Sequence, residues 1–147
     1  MNERSERISR LLSDRKSRES YVKSKLGVLV PSQIKALRLS SSTPKQSDLA
    51  KLADIPQPRL SLLEQPGLSN VTLDTLAQIA SAHKVGVIVK FVSFAEMLDW
   101  ENKHSQDQFN VTRLDNDVAF LNGERVHISS VRAASANYDW QPTHEIY

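Results

Sequence analysis

One stretch of twenty residues, QSDLAKLADIPQPRLSLLEQ from Gln46 to Gln65, constrains the fold more than any other. Leu49, Ala50, Leu52 and Ala53 are spaced as one face of a short helix. Ala50 is small enough for a second helix to cross close by. Asp54 is among the few residues other than glycine that enter the left-handed region easily, which a tight turn between helices requires. Ile55 then drops into the space between the helices. Pro56, which lacks a backbone donor, suits the turn or the start of a second helix from about Gln57 to Gln65. Leu60 and Leu63, with Leu62 as a further candidate, face inward on that helix. Gln57, Pro58, Arg59 and Ser61 sit at its outward, N-terminal end. Gln and Arg make bidentate contacts to adenine and guanine in a major groove.

These residues resemble the helix-turn-helix of the lambda-repressor-like, Cro/XRE family of DNA-binding proteins. Lys45-Gln46, Ala50, Gln57 and the closing Leu63-Glu64-Gln65-Pro66-Gly67 match that plan, and the likeness runs from about Ser32 to Val92. Asp54 stands where the family usually has Gly. Pro58 takes a place in the DNA-facing turn that a base-reading side chain could hold. The resemblance implies a mainly α fold: a lambda-repressor-like helix-turn-helix bundle, here followed by a C-terminal strand and a small α/β tail. It implies that Gln57 and Arg59 read bases in double-stranded DNA. Thr43, Lys45, Gln46, Ser61 and Asn70 would position the helix on phosphates. Ser69 and Asn70 lie in a loop that in relatives follows the DNA backbone. Gln46 would hold a phosphate and also brace Gln57.

Charge is distributed to match. Residues 1–60 hold thirteen Lys and Arg against six Asp and Glu, a balance of +7, whereas residues 61–147 hold six against eleven, a balance of −5. The basic half contains the motif, and its expected partner is a polyanion.

Residues 1–30 read as a basic helical arm, broken in places and ending near Gly27. It either tracks the phosphate backbone beside the main site or packs on the domain or on a partner subunit. Pro31 opens the DNA-binding domain of residues 31–92. Ile34 and Leu37 belong to its first helix, with Lys35 and Arg38 pointing outward. Thr43 or Ser42 caps the next helix. Thr72 caps a later one, in which Leu73, Leu76, Ala77, Ile79 and Ala80 close the core. VGVIVKFVSF is β-branched and alternating, so a strand is expected over 85–94. A strand here has open edges, so it pairs either with the chain's own tail or with a second copy. The second choice gives a homodimer.

Residues 93–147 form an acidic tail. Ser93 caps a short helix carrying Phe94, Met97, Leu98 and Trp100. VAFLNGERVHI reads as a hairpin turning at Asn122-Gly123, and FNVTRL could add a strand. There is no cysteine, no apolar run of about 20 residues for a membrane span and no secretory signal at the charged N-terminus. His83, His104, His127 and His144 lack ligand spacing and read as surface or satisfied residues. No phosphate loop or nucleophile motif is present. The expectation is a cytoplasmic, sequence-specific DNA-binding repressor acting as a homodimer, with no enzymatic activity, cofactor, metal or membrane association. The alternative is an antitoxin that represses its own operon and binds a toxin through its C-terminal segment.

Overall fold

A computed structural model describes residues 2–67, 70–103 and 111–124. These fall into two units, one ending at Asp117 and one beginning at Val118. The chain is mainly helical. The first unit carries α1 (Glu3–Ser13), α2 (Arg15–Leu39), α3 (Gln46–Ala53), α4 (Gln57–Leu63), α5 (Leu73–His83) and α6 (Phe94–Lys103). Among the described residues no helix is long and apolar enough to cross a membrane.

The basic arm and the first domain helix are not separate elements. α2 runs unbroken through Gly27 and Pro31, so neither residue marks the boundary expected there. The physical reason is local. Proline inside a helix leaves the carbonyl four residues back without its donor. Here that carbonyl belongs to Gly27, and it accepts from the Gly67 backbone N–H at 2.8 Å. The loop after α4 therefore fills the hydrogen-bonding gap that Pro31 opens. Gly67 adopts φ 104, which favours glycine. α1 meets α2 at Asp14, whose carboxylate caps α2 through the N–H groups of Lys16 and Ser17. The Arg18 guanidinium donates to the carbonyls of Leu11 and Leu12 at 2.8 and 3.2 Å, holding the end of α1 against α2.

The core gathers Ile34 of α2, Leu49, Ala50 and Ala53 of α3, Ile55 of the turn, Leu60 and Leu63 of α4, and Ile79 of α5. The turn follows the sequence. Asp54 takes φ 54 and ψ 46, the left-handed conformation that lets α3 stop and the chain reverse. Thr72 caps α5 by accepting from the Thr75 N–H at 3.2 Å. Three leucines expected inward, Leu52, Leu62 and Leu73, are exposed. Their helices are too short for a wide apolar stripe, and the inward positions are already filled.

The expected strand is absent. Residues 85–93 form no strand ladder, and Val87, Ile88, Val89, Phe91 and Val92 are exposed. Their β-branched composition supplies the local preference, but a strand needs a partner edge, and the described residues offer none. After this segment Ser93 caps α6 as its sequence implies, accepting from the Glu96 N–H at 3.1 Å. α6 lies on α2 through the Phe94 and Tyr21 rings, 5.9 Å apart, and a Lys25–Glu101 ion pair of 2.8 Å.

Residues 111–113 carry no strand, and 114–116 form a 3-10 turn; Phe109 and Asn110 lie outside the described residues. Arg113 staples two helix ends. It donates to the carbonyls of His83 and Leu37, both at 3.0 Å, and to the Ser40 hydroxyl at 3.1 Å.

In the second unit the expected hairpin does not start as a strand. Val118–Leu121 is a helical turn, α7, closed by Gly123 at φ 69. A glycine in that conformation ends a helix as readily as it turns a hairpin. The rest of the proposed hairpin lies outside the described residues.

Candidate nucleic-acid interface

The centre of the candidate interface is a line of polar groups running from the core to the surface. Arg38, in the last turn of α2, is buried, with 9% of its surface exposed. This corrects the outward orientation expected for it. It follows Gly27, Pro31 and Ile34 on one face of the helix and points with them into the core. Its guanidinium grips the equally buried Glu64 at the end of α4 through two bonds, Nε–Oε1 at 2.6 Å and Nη2–Oε2 at 2.8 Å. Nη1 donates to the Pro44 carbonyl and so fixes the loop before α3. The paired carboxylate pushes the Arg38 pKa above its already high value, so the charge persists at any ordinary pH.

Glu64 also accepts from Gln46 at the first turn of α3, Nε2–Oε2 being 2.9 Å. Gln46 Oε1 in turn faces Gln57 Nε2 at 3.4 Å. Gln57 is exposed at the start of α4. A surface carboxamide is thus oriented through Gln46 and Glu64 by a buried arginine. One Nε2 proton of Gln57 points to Gln46. Its other proton and its Oε1 carry the donor–acceptor pair that matches an adenine edge.

The other expected contacts are placed less uniformly. Gln46 spends its side chain on Glu64 and Gln57, so a phosphate at this point would be met by backbone N–H groups at the start of α3. Lys45 is exposed and occupies the N-cap position without a side-chain capping bond; neither Thr43 nor Ser42 takes that place. Thr43 is half-buried, and its N–H is bonded to the Ser41 hydroxyl at 3.3 Å. Pro58 is exposed in the first turn of α4, where its missing N–H costs no helical bond, and Ser61 is half-buried one turn on.

Arg59 does not simply project outward. Its Nη2 donates to the Asn70 carbonyl at 2.7 Å, tying α4 to the following loop. Asn70 itself sits at φ 28. Ser69 lies outside the described residues. The Arg59 guanidinium is thus engaged within the fold, where the sequence implies base reading.

Two residues that matter, Arg38 and His83, were given other roles by sequence reasoning, and both are buried. Arg38 carried a signal, because it continues the spacing of Pro31 and Ile34. His83 carried a similar one, following Ile79 and Ala80. His83 is buried with 5% exposure, and its Nε2 has no hydrogen-bond partner, contrary to the satisfied or surface role expected for it. Burial first, and then the nearby positive Arg113, lower its pKa to about 4, while Glu64 opposes them.

Among the described residues no group of three or more His, Cys, Asp or Glu side chains could hold a metal ion. No family model, curated protein or solved structure matches the chain.

Proposed function

We propose that this chain is a sequence-specific DNA-binding transcriptional regulator of the lambda-repressor-like helix-turn-helix type. It acts in the cytoplasm as a dimeric repressor with α4 in the major groove. The observation that carries this reading is the oriented Gln57 carboxamide at the exposed start of α4, braced through Gln46 and Glu64 by buried Arg38. A helix pair that merely packed would not need a buried ion pair to aim a surface glutamine. The basic N-terminal half supports the same reading, because phosphates supply most of the affinity for DNA. Repression follows from occupation of a promoter.

The dimer rests on residues 87–92. A second copy pairing along them would cover Ile88 and Phe91, both largely exposed. To read a palindromic site, such a dimer must hold its two copies of α4 about 34 Å apart, one turn of duplex. The same exposed residues favour one second reading, an antitoxin whose toxin covers them instead.

Gln57→Ala tests the base-reading role. The variant is expected to lose about 1–3 kcal/mol of discrimination at one base position of each half-site. Competition binding against a panel of single-base variants measures this. An equal loss on every duplex would contradict the role.

A further inference from the structure

α1 and the N-terminal part of α2 carry a cationic cleft of their own. α1 and the first turns of α2 line this open cleft of about 610 Å³. Arg7 and Arg10 reach it from α1, and Lys16 from α2. All three are exposed, and among the described residues none makes an ion pair. The hydroxyl-bearing Ser20 and Ser24 line the same cleft. The single carboxylate there, Asp14, is spent on capping α2 and on the Ser17 hydroxyl at 2.6 Å. The angle of the cleft is fixed by the Arg18 bonds to the end of α1.

Three unpaired cations beside hydroxyl donors suit phosphate groups. Their exposure favours an extended ligand that arrives from outside over a small molecule that must be enclosed. The spacing favours one source. From Ser17 to Arg38 a helix rising about 1.5 Å per residue covers roughly 30 Å, close to one turn of duplex. We propose that the cleft between α1 and α2 is a second DNA contact, which takes backbone phosphates about one helical turn from the bases read by α4. This deepens the proposed function and rests on it. The contact carries no sequence information. It adds affinity and lengthens the footprint.

The test compares two triple variants of the full chain with the same net charge. One is Arg7→Gln, Arg10→Gln, Lys16→Gln in the cleft. The other is Arg4→Gln, Lys23→Gln, Lys90→Gln elsewhere. Circular dichroism checks that both remain folded. The salt dependence of binding and the hydroxyl-radical footprint are then measured on a duplex selected by the unaltered protein. The cleft variant should reduce the slope of log K against log salt by about 2–3, since each phosphate contact contributes about 0.9. It should also lose backbone protection beside the half-site while keeping the same consensus. The control should keep that protection.

Equal slopes and footprints in the two variants would overturn the inference while leaving base reading by α4 intact. Failure of the unaltered protein to select any sequence would remove the reading on which the inference rests, and the inference with it. Titration with inorganic phosphate alone separates the sources. Saturable binding at the cleft, with the DNA footprint unchanged in the cleft variant, would assign the cleft to a free anion.

Discussion

Replacing Glu64 with alanine is expected to destabilise the protein by about 3–5 kcal/mol. The loss does not measure what the ion pair contributes in the intact fold. It measures the penalty for leaving the Arg38 guanidinium buried without its carboxylate. Arg38 makes two bonds to Glu64 and cannot shed its charge, so its only escape is to open the core toward water. The same change releases Gln46 and with it the orientation of Gln57. Sequence discrimination should therefore weaken even where the variant is fully folded. Urea unfolding measures the first effect, and binding to single-base variants in the cold measures the second. Replacing both partners at once, Arg38→Met with Glu64→Leu, should recover much of the stability, because apolar pairs of similar volume often do as well as buried ions. It should not recover discrimination, since Gln46 would still lack its acceptor. Recovery of both would show that Gln57 needs no brace.

Acid is expected to destabilise the protein through His83. The pKa of His83 is lowered to about 4 in the fold, against 6.5 for an ordinary histidine. Below pH 6.5 the unfolded chain takes up a proton that the folded chain refuses. Stability is therefore complete above that pH, falls as pH drops, and levels off below about 4 as far as this group is concerned. Its contribution approaches 3 kcal/mol, at about 1.4 kcal/mol per pH unit. Burial is the main cause, and the Arg113 guanidinium, held on the His83 carbonyl, adds to it. Urea unfolding at pH 7, 6 and 5, with His83→Leu as the comparison, isolates the effect. The difference in stability between the two proteins should change steadily across this range in favour of the leucine variant. A constant difference would mean that His83 gains its proton as easily folded as unfolded.

The sequence made the centre of the fold legible because local rules and packing agree there. Leu49, Ala50 and Ala53 share one helical face, Asp54 can turn left-handed, and Thr72 and Ser93 can cap. Each of these decisions is made within four residues. The features that were missed depend on distance along the chain. Arg38 and Glu64 are 26 residues apart, and a charged residue at the end of an amphipathic helix ordinarily looks like surface. Pro31 looked like a helix start because its partner in the fold is a carbonyl that only the Gly67 loop can satisfy. Gln57 and Gln46 were legible as polar residues at the starts of α4 and α3. That Gln46 turns toward Glu64 instead of outward to a phosphate depends on the burial of Glu64. The segment 87–92 shows the opposite failure. Its β preference is strong, yet pairing is a property of two segments, and one sequence window describes only one of them.

The most direct test of the central claim is selection of bound duplexes from a random DNA pool by the intact protein. The account predicts enrichment of a palindromic consensus with half-sites about one helical turn apart, and loss of one position of each half-site in the Gln57→Ala variant. A pool that stays random, with weak binding that disappears at moderate salt, would contradict sequence reading by α4 and leave only backbone attraction.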